Sequence, residues 1–149
     1  GPVGDKARST SGFVFTFCGG AISWRSKRQT QTAQSTCEAE LVALGSAAKE
    51  AMWLRGLCKE LGLKCPLPTS VFCDNDAATK ITSNKIQSEA TKHLDVTNFA
   101  LREYVSNKHL AVKRVDTKDN VADAFTKPLG RIKLEQFRTA MGVVRPSLV

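Results

Sequence analysis

The hydrophobic period of the chain first changes near Ser35, and that change limits the folds open to it. Upstream, residues 12–17 (Gly-Phe-Val-Phe-Thr-Phe) are rich in aromatic and β-branched side chains and predict a strand. Gly19-Gly20 signals a hairpin, with Ala21 to Arg25 as the return strand. Gln29 to Thr36 reads as a third, more polar strand. Downstream, Leu41, Leu44, Ala48 and Ala51 recur at helical spacing and predict a long helix over roughly 36–61, stopped by Gly62. Ser35-Thr36-Cys37-Glu38 fits a capping box, with Ser35 as N-cap and Glu38 reaching back.

The remainder keeps alternating. Residues 64–69 carry two prolines and predict a loop, and Ser70 to Cys73 a short buried strand ending at Asp74. A helix around 75–83, a polar loop over 84–90 and a helix over 94–106 follow. His109 to Val115 alternate as a strand. Val121 to Thr126 open a helix that Pro128 stops. Residues 131–141 form a last amphipathic helix, with Leu134, Phe137 and Met141 on one side. The order β-β-β-α-β-α-α-β-α-α specifies an α/β fold, a mixed β-sheet flanked by helices. At 149 residues and 42% hydrophobic, the chain reads as one domain with a real core, spanning 3–142. Gly1-Pro2 has the form of a protease-tag scar, and residues 143–149 read as a loose tail.

Charge narrows the partners. There are 22 Lys+Arg against 14 Asp+Glu, a net charge of +8, which favours a polyanion such as nucleic acid or an anionic membrane surface. No apolar run approaches the roughly 20 residues of a membrane span. The five cysteines (18, 37, 58, 65 and 73) are odd in number and form no Cys-x-x-Cys, so they read as reduced thiols of an intracellular protein. His93 and His109 lack the spacing of zinc ligands.

Three acidic motifs carry the candidate chemistry: Glu40 in Ser-Thr-Cys-Glu-Ala-Glu-Leu, Asp74 in Val-Phe-Cys-Asp-Asn, and Asp123 in Asn-Val-Ala-Asp-Ala-Phe-Thr-Lys-Pro. Each abuts an apolar segment, where a carboxylate is costly unless a metal or a basic partner compensates it. Glu38 and Glu40 point about 200° apart on a helix, so only one faces inward. The cap accounts for Glu38, and Glu40 precedes Leu44 on the apolar side. Taken singly, Glu40 also fits an exposed helix charge, Asp74 a helix N-cap, and Asp123 a first-turn charge favoured by the helix dipole. Together they suit a site for two Mg²⁺ ions about 3.5–4 Å apart, the arrangement that serves phosphodiester hydrolysis.

A basic run, Trp24-Arg25-Ser26-Lys27-Arg28-Gln29, suits phosphate contacts, or else forms a solvated hairpin edge. Within it Trp24, like Trp53 elsewhere, reads as a packing residue ahead of a base-stacking platform. Thr91-Lys92-His93-Leu94-Asp95 binds a phosphate through Lys92 or caps the next helix.

Ser9-Thr10-Ser11-Gly12-Phe13-Val14-Phe15, Gly20-Ala21-Ile22-Ser23-Trp24, Ser35 to Leu41, Cys73-Asp74-Asn75, Thr91 to Asp95 and Ala122 to Leu129 together resemble the ribonuclease H domain of copia-type (Pseudoviridae) LTR-retrotransposon Pol polyproteins. The resemblance covers about residues 5–130 and rests on the ordered set of motifs. It implies a ribonuclease H-like fold and Mg²⁺-dependent hydrolysis of the RNA strand of RNA–DNA hybrids, with Mn²⁺ able to substitute. It also implies a place downstream of a reverse transcriptase, in the cytoplasm, a virus-like particle or the nucleus. By motif match, Glu40, Asp74 and Asp123 take the family's second, third and fourth metal-ligand places.

The family's first catalytic Asp, on the central first strand, has no counterpart here. Val3-Gly4-Asp5 matches only a later Gly-Asp of that motif, so the first strand reads as truncated. Two expectations follow. One is a domain that binds nucleic acid or a protein without cutting. The other is an open sheet edge filled by Val3–Asp5 or by strand exchange in a swapped homodimer.

Overall fold

A computed structural model describes residues 8–30, 35–76, 79–80 and 95–147, leaving aside the side chains of 95–98. The elements are β1 (Thr10–Phe17), β2 (Gly20–Arg28), α1 (Thr36–Glu60), β3 (Thr69–Cys73), α2 (Asp95–Ser106), β4 (Leu110–Arg114) and α3 (Arg131–Ala140), an α/β content. They gather in two compact units, one of Gly1–Thr32 with Val121–Val149 and the other of Ala33–Asn120. The strands pair as an antiparallel ladder β1–β2 and a parallel ladder β3–β4, so both strand senses of a mixed sheet occur, in separate ladders.

In the first unit, β1 and β2 meet with Phe17 opposite Gly20. The turn is therefore Cys18-Gly19, one residue before the expected Gly19-Gly20. Both residues have positive φ, 51° and 81°. A two-residue hairpin loop needs that conformation to match strand twist. The ladder skips a residue between Phe15 and Thr16, whose partners are Ser23 and Ala21, leaving Ile22 as a bulge. β2 runs three residues beyond the expected Arg25. Gln29 and Thr30 lie outside any strand and Ser35 caps α1, so the third strand is absent at the described ends of 29–36, while 31–34 lie outside the described residues.

A 3-10 turn, Val121–Phe125, packs on β1 where an α-helix was expected. Gly12 permits the approach, since a Cβ there would lie 2.8 Å from Phe125 Cβ and from Thr126 Cγ2. Ser26 Oγ donates to the Phe125 carbonyl at 2.6 Å. Phe137 on α3 is fully buried and Met141 nearly so, as their spacing predicts, but Leu134 is 46% exposed. Helix α3 ends in a Schellman turn, with Gly142 at φ +70° and Val143 N–H donating to Arg138 O at 3.1 Å. Arg138 Nη1 also donates to the Val143 carbonyl, so the tail's first residue is held. Ala21 N–H donates to Met141 O at 2.8 Å, tying α3 to the hairpin.

In the second unit, Ser35 Oγ accepts from Glu38 N–H at 3.1 Å, the forward half of the capping box. Leu41, Leu44, Ala48 and Ala51 are all buried, with Ala39 and Ala47 beside them. Small residues let α1 lie close to its neighbours α2 and β3. Leu101 of α2, Leu110 of β4 and Val71 of β3 complete this core. α1 ends at Gly62 (φ +69°) in a Schellman turn, as the glycine predicts. α2 ends the same way at Lys108, which adopts φ 58° although it carries a Cβ. Of the helix expected at 75–83, the described residues Asp76, Thr79 and Lys80 are helical, with Thr79 N–H donating to Asn75 O at 3.1 Å. Among the described residues, no helix is long and apolar enough to cross a membrane.

Candidate metal centre

Strands β3 and β4 run parallel, with Cys73 opposite Arg114 at their carboxyl ends. Ligand sites in α/β folds gather at such ends, because the chain leaves the sheet there with backbone and side chains turned outward. Asp74 is the first residue past β3. Glu40 comes from the second turn of α1, and its carboxylate, the Cys73 sulfur and the Asp74 carboxylate all lie within 4.8 Å of one another. Glu40 and Asp74 are half-buried and Cys73 is 4% exposed. Ser35 thus caps the helix at the Glu38 N–H, and Glu40 is the acid that lies beside Asp74.

Cys73 is the member the motifs did not single out. Burial, reinforced by the charges of Glu40 and Asp74, pushes its thiol up to about 11, against a weaker opposing pull from the Asn75 N–H that it accepts at 3.5 Å. At neutral pH the sulfur is protonated, and the donors are two carboxylates. Hard carboxylate oxygens with room for water fit Mg²⁺ or Mn²⁺. One turn before Glu40, Cys37 is also shifted upward, by burial first and then by the Glu40 charge.

Arg114 is a second residue the sequence reading missed. Its Nε donates to Asp76 Oδ1 at 2.7 Å, and it also donates to the Val115 carbonyl. The Asp76 hydrogen bond holds the guanidinium more firmly protonated, with Asp116 and Asp74 adding to the pull. The one sequence signal was a strand ending in Lys113-Arg114. Its placement beside Asp74 depends on the parallel register, which no local pattern encodes.

Asp123 belongs to the other compact unit. It is 7% exposed, and Lys127 Nζ lies 2.9 Å from its Oδ2. Its carbonyl accepts from the N–H groups of Thr126 and Lys127, at 3.1 and 3.2 Å. The sequence therefore supplies this acid with its own basic partner four residues on, as a buried charge requires.

The basic run lies along β2, where Trp24, Arg25, Lys27 and Arg28 are all exposed. Trp24 is 60% exposed and Trp53 61%, which corrects the expectation that both are packing residues. Trp24 opens a run, Trp24 to Arg28, in which every residue of β2 is exposed. Lys92 and His93, like Asp5, lie outside the described residues.

The chain is 40% identical over 139 residues, 93% of its length, to a retrovirus-related Pol polyprotein from transposon TNT 1-94 of Nicotiana tabacum. It is 34% identical over 96% of its length to the Pol polyprotein from transposon RE1 of Arabidopsis thaliana. The chain is homologous to a segment of copia-type retrotransposon Pol polyproteins. The likeness extends beyond plants, with 31% identity over 82% of the chain to a Ty1 Gag-Pol polyprotein of Saccharomyces cerevisiae. The chain spans about a tenth of the length of the plant relatives it matches. No family model matches it, and no solved structure matches it.

Proposed function

We propose that this Pol segment is a ribonuclease H module that hydrolyses the RNA strand of RNA–DNA hybrids during reverse transcription. The observation that carries the reading is the meeting of the Glu40 and Asp74 carboxylates at the carboxyl edge of the parallel pair β3–β4. They come from two different elements, each rigidly held: α1 by its buried apolar face, and β3 by its ladder. Asp123 stays a candidate ligand on its Ala-Asp-Ala-Phe-Thr-Lys-Pro motif alone.

The function of Glu40 and Asp74 is to present oxygens to divalent metal, two Mg²⁺ ions in the full site, with Mn²⁺ as a substitute. Such ions supply an activated water and stabilise the leaving oxygen of an in-line displacement. Cys73, buried and with its thiol pushed up to about 11, sits beside the two acids without adding charge at neutral pH. Arg114, held by Asp76, adds a positive charge that acts on Asp74. On the hairpin, Arg25, Lys27 and Arg28 contact backbone phosphates, and Trp24 offers an exposed ring to a sugar or base. Lys92 adds a phosphate contact on its motif. In the parent polyprotein the module acts beside a reverse transcriptase, within the cytoplasm, a particle or the nucleus.

A hybrid-cleavage assay with Mg²⁺ or Mn²⁺ tests the reading. Cleavage that Asp74→Asn abolishes supports it, and cleavage that survives the substitution sinks it. The alternative, a module that binds without cutting, is favoured by the Lys127 ion pair that already compensates the Asp123 charge. It predicts salt-sensitive hybrid binding with no product. An Asp5→Asn variant that cuts as well as the parent excludes Asp5 as a ligand. A single monomeric species in sedimentation excludes the swapped homodimer.

A further inference from the structure

The end of α1 and the segment that follows it bring two cysteines side by side. Gly62, at φ +69°, reverses the chain, and Leu63 N–H donates to Cys58 O at 2.8 Å. The returning segment is then pinned along the last turns of the helix by Arg55. Its Nη1 donates to Pro66 O at 3.1 Å and to Thr69 Oγ1 at 2.6 Å, and its Nη2 to Cys65 O at 3.5 Å. Arg55 and Cys58 are three apart on one helix face, so the face that holds Cys65 by its carbonyl also carries Cys58. Cys65 is the neighbour that does most to hold the Cys58 thiol above its ordinary range. Neither residue is buried, so small reagents reach both.

We propose that Cys58 and Cys65 form a redox-active dithiol, a modification site that a low-molecular-weight disulfide oxidises to an intramolecular cystine. The thiolate of one cysteine attacks a sulfur of the small disulfide, forming a protein mixed disulfide and releasing one small thiol. The second cysteine attacks the protein sulfur of that mixed disulfide, and the other small thiol leaves. The protein loses two electrons and two protons, and one small disulfide becomes two small thiols. Because the Gly62 reversal and the Arg55 clamp hold the sulfurs close beforehand, the second step is intramolecular and outruns accumulation of the mixed disulfide. The cystine closes the turn between α1 and the segment entering β3, restricting the unfolded chain and raising the thermal midpoint. Cys73 is shielded from the same reagent by its burial.

The test is to treat the reduced full chain with oxidised glutathione and map the products by non-reducing digestion and mass spectrometry. The expected product is a Cys58–Cys65 linked peptide, with a thermal midpoint above that of the reduced chain and full reversal by dithiothreitol. In Cys58→Ser and Cys65→Ser, the remaining cysteine of the pair should instead keep a stable glutathione adduct. Stable adducts at Cys58 or Cys65 in the parent chain, failure of both to react, or a predominant link between any other two cysteines would each overturn the proposal. Because the mapping reads linkage and not cleavage, its outcome stands apart from that of the nuclease assay.

Discussion

The carboxylates of Glu40, near the start of α1, and Asp74, just past β3, lie within 4.8 Å of each other, with the protonated sulfur of Cys73 in the same cluster. Two like charges at that distance repel, and a divalent cation relieves the repulsion. Mg²⁺ or Mn²⁺ should therefore raise the thermal midpoint of the chain. At tenfold excess over Kd the gain is about 1.4 kcal/mol. Asp74→Asn should abolish the metal-dependent rise while leaving the metal-free midpoint equal or higher. Differential scanning fluorimetry with and without chelator reads both. A metal response unchanged in Asp74→Asn would refute the site.

Asp123 is buried and its charge is met by Lys127 Nζ at 2.9 Å. Lys127→Ala should strip that compensation and cost about 1–2 kcal/mol, less than a fully buried pair because the Lys127 side chain is 48% exposed. Adding Asp123→Asn to the lysine variant should recover part of the loss, since the neutral amide needs no counter-charge. Urea unfolding of the two variants decides it. A Lys127→Ala chain as stable as the parent contradicts the coupling.

Lys108 caps α2 at φ 58°, a conformation in which its Cβ crowds the backbone. Lys108→Gly should remove that strain while keeping the cap bonds, His109 N–H to Tyr104 O at 2.9 Å and Lys108 N–H to Val105 O at 3.0 Å. The expected gain is about 0.5–1 kcal/mol after the extra backbone entropy of glycine is subtracted. A loss of stability in chemical denaturation would show that the lysine side chain makes a stronger contribution than its strain.

Glu135 on α3 accepts from Arg138 Nε and Nη2, at 3.0 and 2.7 Å. The Arg138 hydrogen bonds hold its carboxyl below the ordinary 4.5, and the Arg138 and Arg145 charges add to this. A depressed native value means the unfolded chain binds protons first. The contribution is thus complete above the unfolded value and is lost as pH falls through the native one. Glu135→Gln should flatten the acid limb of the stability curve below pH 4.5 without steepening it at neutral pH. Thermal midpoints over a pH series give the comparison.

Much of the second unit was legible in advance. The Leu41, Leu44, Ala48 and Ala51 spacing, the Ser35 cap and the Gly62 stop marked α1 almost to the residue, because helix patterns and caps are local. The hairpin was legible too, but its turn lay one residue off, since twist and not glycine count selects the loop. Residues 121–126 read as an opening α-helix and form a 3-10 turn instead, seated on Gly12.

By itself, the sequence determined the hairpin, the apolar face of α1 with its cap and stop, and the choice of Glu40 over Glu38 as the inward acid. Each of these follows from spacing within a few residues. Only the tertiary structure decided that β3 and β4 pair in parallel, that Cys73 joins Glu40 and Asp74, that Arg114 sits beside them, and that Trp24 faces solvent. Those relations join residues distant in sequence, and the burial of apolar surface that brings them together is non-directional. A local pattern can mark which side chains must be buried or charged, but register and packing settle which of them meet.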